Sequence, residues 1–135
     1  MTRLLFVCVE NSNRSQMAEA FARLLGGGSV EAFSAGSRPS SVVNPKAIAS
    51  MKELGYELEG HDSKSLDHLP DVTFDFVATM GCGDKCSLVR TTRREDWAIP
   101  DLKHLEPDVF RKVRDLIRDR VRDVLDELGI ASSAK

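Results

Sequence analysis

Three cysteines, three histidines, one tryptophan and one tyrosine are all that 135 residues carry of those types, and each shortage excludes something. An odd, sparse set of cysteines cannot staple a small secreted fold, so a reducing compartment with working thiols, the cytoplasm, is expected. His61, His68 and His104 show no paired-ligand spacing, so no metal is expected. No apolar run approaches the ~20 residues of a membrane-spanning helix. The opening MTRLLFVCVEN lacks the cleavage pattern of a signal peptide. A net charge of −2 provides no general field for nucleic acid or an anionic membrane, so neither is an expected partner and any anion site must be local. What remains is 41% apolar and 30% charged, an ordinary composition whose length supports one compact core. A monomer is the expectation.

Arg3 to Val9, RLLFVCV, is the nearly continuous apolar run of a strand buried on both faces. Met17, Ala18, Phe21, Ala22 and Leu25 then recur at helical spacing, and the glycines at 26–28 end that helix. Residues 29–35, SVEAFSA, predict a second strand. Asn44-Pro45 is an N-cap with proline at the first helical position, heading a stripe of Ala47, Ile48, Met51 and Leu54. TFDFVATM at 73–80 predicts a third strand, and WAI at 97–99 a fourth. Pro107 opens a last helix carrying Val109, Phe110, Val113, Leu116, Ile117, Val121, Val124, Leu125 and Leu128, closed by Gly129. Its Arg111, Arg114, Arg118, Arg120 and Arg122 interleave with Asp115, Asp119, Asp123 and Asp126, which predicts a solvated, charge-balanced face. Strands alternating with helices predict one α/β domain over residues 1–130, with a parallel sheet covered on both sides. Residues 131–135 are expected to form a frayed tail.

The stretch Val7-Cys8-Val9-Glu10-Asn11-Ser12-Asn13-Arg14-Ser15 sits where the first strand gives way to the first helix. Backbone N–H groups opening a helix have no intrahelical acceptors, and with the helix dipole they make an anion site. The residues between Cys8 and Arg14 can curl their N–H groups around a tetrahedral oxyanion, and a guanidinium at Arg14 adds a planar fork for two of its oxygens. A free cysteine titrates near pH ~8.5, and a helix start with a nearby cation favours its thiolate. Hydroxyls of Ser12 and Ser15 can donate to the sulfur. The loop therefore predicts Cys8 as a nucleophile held within reach of its own oxyanion substrate.

VCVENSNRS resembles the C-x5-R-S loop of the low-molecular-weight protein tyrosine phosphatase superfamily. RSQMAEA at 14–20, SAG at 34–36, NPKAI at 44–48, and MGCGDKC followed by WAIPD are similar to its arsenate reductase branch, in the same order from about residue 3 to 128. The resemblance implies a three-layer α/β fold, a four-stranded parallel sheet flanked by helices. It also implies an oxyanion cradle over Val9, Glu10, Asn11, Ser12, Asn13, Arg14 and Ser15, with arsenate as substrate and phosphate or sulfate as competing anions. No bound cofactor is implied.

Two readings share that cradle. A phosphatase needs Cys8, Arg14 and an acid, which Asp101 in WAIPD matches by resemblance, and no second thiol. A reductase needs further thiols to strip the arsenic from Cys8. Cys82 and Cys86 in GCGDKC answer that need, because parallel strands open on the same edge of the sheet and bring residues after the third strand toward Cys8. Gly81 and Gly83 give the segment conformational freedom. C-x3-C is also half of a zinc site in principle, but Cys8 belongs to the cradle and the histidines supply no second pair. By resemblance, the final Cys82–Cys86 disulfide passes to thioredoxin, with a low-molecular-weight thiol such as mycothiol or glutathione as the other donor class.

The sequence also departs from the family pattern. Glu10 stands where glycine is common, and Asn13 where many reductases have cysteine or alanine. Leu102 and Ser87 replace prolines. His61-Asp62-Ser63-Lys64 puts Lys64 where potassium-binding members have an acid, so no potassium requirement is expected. The lone Tyr56 leaves no tyrosine-bearing loop near Asp101, which weighs against a phosphatase.

Overall fold

The computed structural model describes residues 2–8, 11, 13–36, 43–58, 65–80, 89–99 and 106–130. Four parallel strands form one sheet in the order β2-β1-β3-β4: β1 is Thr2–Cys8, β2 Val30–Gly36, β3 Phe76–Met80 and β4 Arg94–Asp96. Helices α1 (Arg14–Gly26), α2 (Pro45–Lys52) and α3 (Pro107–Glu127) flank it. Short 3₁₀ turns occupy Gly27–Ser29 and Leu66–His68.

Strand β1 is central and its apolar run is continuous because both faces are covered. Leu4, Phe6 and Cys8 join the large core with Met17, Phe21, Met51, Ile117 and Leu125 of the three helices. Leu5 and Val7 face the other way, into a smaller core with Phe74, Val77, Leu66, Leu69, Val72 and Val89. Among the described residues, all three α-helices therefore pack on one face, and a 3₁₀ turn with its flanking loops covers the second.

Local chemistry sets the helix ends. Asn44 Oδ1 accepts the Lys46 N–H at 2.8 Å with Pro45 at the first helical position, capping α2 as expected. Gly27 takes φ +55° just past α1 and returns its N–H to the Arg23 carbonyl, a left-handed conformation that costs glycine no steric penalty. Glu19 of α1 is buried, yet it accepts from Ser34 Oγ at 2.5 Å and pairs with Arg23 at 2.9 Å. That pairing ties α1 to β2 without leaving a bare buried charge.

Several elements depart from expectation. The second strand runs 30–36, with Ser29 in the 3₁₀ turn, and the third begins at Phe76, leaving Phe74 as an isolated bridge to Thr91. The fourth strand is 94–96, not 97–99. Polar Arg94–Asp96 suits an edge position beside Val77–Thr79, whereas the apolar Trp97 and Ile99 dive under the sheet end into the main core. Trp97 packs against the rings of Phe6 and Phe76 and donates its indole N–H to Glu95. Val109 and Leu116, placed in the apolar stripe of α3 by their spacing, are exposed. The expected frayed tail lies outside the described residues.

The charged face of α3 is not uniformly solvated. Arg114 is buried, and its Nη1 donates to the Ser50 carbonyl at 2.9 Å and to Glu53 at 2.8 Å, while its Nε donates to Asp115 at 2.9 Å. The C-terminal turn of α2 presents a free carbonyl and a carboxylate there, and only a guanidinium reaching over from α3 satisfies both. Arg111 holds the same carboxylate through Nε and Nη2. Hydrogen bonds from Arg111 first, and then Arg114, pull the Glu53 carboxyl down to about 2 from 4.5. A depressed carboxylate stabilises the folded chain above its unfolded pKa, and the contribution is lost as pH falls from about 4.5 toward about 2. Urea denaturation across that window should show a smaller acid-induced drop in midpoint for Glu53→Gln than for the native chain. Because the pair is half-exposed, salt should narrow the difference. Equal drops would refute the clamp.

Candidate active site

Cys8 closes β1, with Gly36 of β2 and Met80 of β3 as its register partners. From β1 the chain connects outward to β2 on one side and later to β3 on the other. The strand order thus reverses at the β1–β3 boundary, where parallel α/β sheets open a crevice beyond their C-terminal ends. The N-terminus of α1 opens beside the same edge.

Cys8 is buried and its thiol free of any disulfide. Its Sγ lies 2.9 Å from Ser15 Oγ, and Ser15 Oγ also accepts from Asn11 Nδ2 at 2.8 Å. Asn11 in turn accepts from Gln16 Nε2 at both its side-chain oxygen, 2.9 Å, and its backbone oxygen, 3.1 Å. Asn11, Ser15 and Gln16 are each 0% exposed. The amide of Gln16, the amide of Asn11 and the hydroxyl of Ser15 therefore form a chain in which each group donates to the next. A hydroxyl already receiving a hydrogen bond from Asn11 has its own proton to offer the sulfur 2.9 Å away.

The described loop residues Asn11 and Asn13 carry backbone and capping features of their own. Asn11 sits at φ +52°, the only non-glycine residue in the left-handed region among those described; asparagine tolerates that region better than most side chains. Asn13 heads α1 but makes no side-chain cap, and its Oδ1 is buried without a hydrogen-bond partner. An asparagine at this position ordinarily accepts from the second or third N–H of the helix. Here Asn13 does not take that role, and a helix start is where backbone N–H groups can hold an oxyanion.

Arg14 is half-buried, and its Nη1 donates to the Ile99 carbonyl at 3.0 Å. That carbonyl is presented by a tight turn in which Ile99 N–H bonds back to Trp97 O, with Trp97 N–H held by Thr79 O. One corner of the guanidinium is thus anchored to the sheet end, and its other N–H groups retain donor capacity.

Cys8, Asn11, Asn13, Arg14 and Ser15 accordingly meet at one sheet edge. Val9, Glu10, Ser12, Lys64, Cys82, Cys86, Ser87, Asp101 and Leu102 lie outside the described residues. The chain leaves β3 at Met80, beside Cys8 and two positions before Cys82, and Ile99 precedes Asp101 by two. Two participants escape a reading of the sequence. Gln16 looks like an ordinary helix residue, its only signal being a polar side chain directly after the loop serine. The Ile99 carbonyl is main chain and has no residue-type signal. Among the described residues, no three His, Cys, Asp or Glu side chains gather as metal ligands, and no helix is long and apolar enough to cross a membrane.

This arrangement has parallels in known proteins. A glutaredoxin arsenate reductase of Synechocystis sp. is 37% identical over 132 residues, covering 96% of this chain and all of that one. The solved structure of an arsenate reductase in the phosphate-binding state superimposes with a TM-score of 0.85 at 36% identity, spanning 94% of this chain and 98% of the other. A thioredoxin-dependent arsenate reductase from Corynebacterium glutamicum gives a TM-score of 0.79 at 31% identity over 96% of this chain and 62% of its own. The family model for low-molecular-weight phosphotyrosine protein phosphatases matches residues 3–133. With its parallel sheet, a cysteine and an arginine meeting at one sheet edge, and a match over nearly its full length, the chain belongs to the low-molecular-weight phosphotyrosine protein phosphatase family.

Proposed function

We propose that this chain is a cytoplasmic arsenate reductase working through a relay of Cys8, Cys82 and Cys86. The observation that carries the reading is the hydrogen-bonded chain Gln16–Asn11–Ser15 that reaches Cys8 Sγ at a helix start left without a side-chain cap by Asn13. That is the environment of a sulfur nucleophile facing a tetrahedral oxyanion.

In the first step the sulfur of Cys8 attacks arsenic. An S–As bond forms and an As–O bond breaks, the oxygen leaving as water once protonated; Asp101 is the acid in reach by sequence. Arg14 and the N–H groups of the loop from Val9 to Ser15 hold the remaining oxygens. In the second step the thiolate of Cys82 attacks Cys8 Sγ. The S–S bond forms, the S–As bond breaks and its electron pair goes to arsenic, which leaves as arsenite, reduced from As(V) to As(III). In the third step Cys86 attacks Cys82, freeing Cys8 and leaving a Cys82–Cys86 disulfide. Two electrons from a thioredoxin-type dithiol restore the pair. The relatives are named for different donors, glutaredoxin in Synechocystis and thioredoxin in Corynebacterium glutamicum, so the donor is part of the test.

Arsenate-dependent NADPH oxidation is to be compared with thioredoxin and its reductase, with glutaredoxin, glutathione and its reductase, and with mycothiol and its reductase. Thioredoxin should support turnover, and Cys82→Ala should reduce it to background. Hydrolysis of p-nitrophenyl phosphate, if the cradle catalyses it, should survive that change, since it needs Cys8 and no second thiol. Unchanged arsenate turnover in Cys82→Ala sinks the relay. Ester hydrolysis with no arsenate turnover under any donor assigns the chain to the phosphatases instead.

A further inference from the structure

We infer that Gln16 is a positioning residue for the nucleophile, acting on Cys8 through Asn11 and Ser15; the inference rests on Cys8 being the nucleophile proposed above. Gln16 is fully buried, one residue beyond the serine that touches the sulfur, and its Nε2 grips both carbonyl oxygens of Asn11. Each of these two contacts has its own consequence. The bond to the backbone oxygen braces Asn11 at φ +52°, a conformation uncommon outside glycine that asparagine tolerates better than most side chains. The bond to Oδ1 fixes which way the Asn11 amide faces. With Oδ1 taken up by a donor, Nδ2 is turned toward Ser15 Oγ, 2.8 Å away.

Polarisation runs the same way, since hydrogen bonds in a chain strengthen one another. An amide whose oxygen accepts is a better donor, and a hydroxyl that accepts from it is a better donor in turn, here toward Cys8 Sγ at 2.9 Å. Removing the first donor takes away the hydrogen bonds that Gln16 makes to the two Asn11 oxygens, which loosens the hold on the Asn11 amide and weakens the Ser15 donor in front of the sulfur. A methionine at 16 has nearly the same shape and no donor, whereas a glutamate sets acceptors against acceptors.

The readout is the pH dependence of Cys8 alkylation by iodoacetamide, which needs no arsenate and no reductant. It is measured with Cys82→Ser and Cys86→Ser present so that Cys8 is the sole thiol. Gln16→Met should move the midpoint of the alkylation profile upward, giving about tenfold slower reaction on the acid limb and an unchanged rate on the alkaline plateau. Gln16→Glu should move it further. Asn11→Gly keeps the left-handed turn but deletes the middle donor, so adding Gln16→Met to it should produce little further movement.

Three results overturn the inference: an unmoved profile in a folded Gln16→Met, an unmoved profile in Gln16→Glu should the methionine variant not fold, or an equal movement with and without Asn11→Gly. The alkylation results stand apart from the reductase reading, which fails on its own if the native chain turns over no arsenate.

Discussion

Replacing Cys8 with serine should abolish arsenate turnover, by on the order of 10³-fold or more, while leaving oxyanion binding nearly intact. A serine hydroxyl at the end of β1 would occupy almost the same volume beside Ser15, so the fold and the uncapped start of α1 should persist. What disappears, in the proposed relay, is the atom that would bond arsenic and then be attacked by a second sulfur. The decisive measurement is therefore a split: steady-state turnover of Cys8→Ser at background, with phosphate still detected by calorimetry at an affinity within about threefold of the native chain, because the backbone donors and Arg14 are untouched. Turnover that persists in Cys8→Ser would remove the nucleophile from the mechanism. Phosphate binding lost along with turnover would mean that the cradle depends on the sulfur itself.

Arg14→Lys carries the second large effect. The guanidinium reaches the Ile99 carbonyl with one corner and, in the proposed reaction, would offer the rest of its planar fork to two oxygens of a tetrahedral anion, two tasks that an ammonium cannot do together. Lysine keeps the charge but forfeits either the anchor or the fork. Charge stabilisation of this kind in an active site is worth ~10²–10³ in rate, and kcat/KM for arsenate should fall by about that factor. Because the anchor also fixes the segment two residues before Asp101, the loss should appear in kcat as well as KM. An Arg14→Lys variant within about threefold of native kcat/KM would show that simple positive charge suffices.

How far the sequence discloses this molecule depends on the range of the interaction. The C-x5-R spacing between Cys8 and Arg14, the β1 run and the α1 stripe are legible because neighbouring residues interact through fixed backbone periods. Asn44-Pro45 announces α2 for the same reason. The fourth strand is misread at Trp97–Ile99 because hydrophobicity reports burial, not pairing. Trp97 and Ile99 are buried in the main core, while a polar edge strand, Arg94–Asp96, does the pairing. Arg114 is misread because alternation of charge along α3 says nothing of the Ser50 carbonyl and Glu53 waiting across the helix interface.

From the order of residues alone follow an alternating strand and helix chain, a cysteine at a strand end, an arginine at the helix start after it, and a further pair of cysteines beyond the third strand. These are statements about covalent neighbours, and local geometry is enough to make them. Only the tertiary structure decides that the Ile99 carbonyl, 85 residues along the chain, seats Arg14, that Asn11 turns left-handed, and that a buried glutamine directs its amide toward Asn11 in front of the sulfur. Hydrogen bonds depend on distance and direction in space, and those exist only once the sheet has brought its strand ends together.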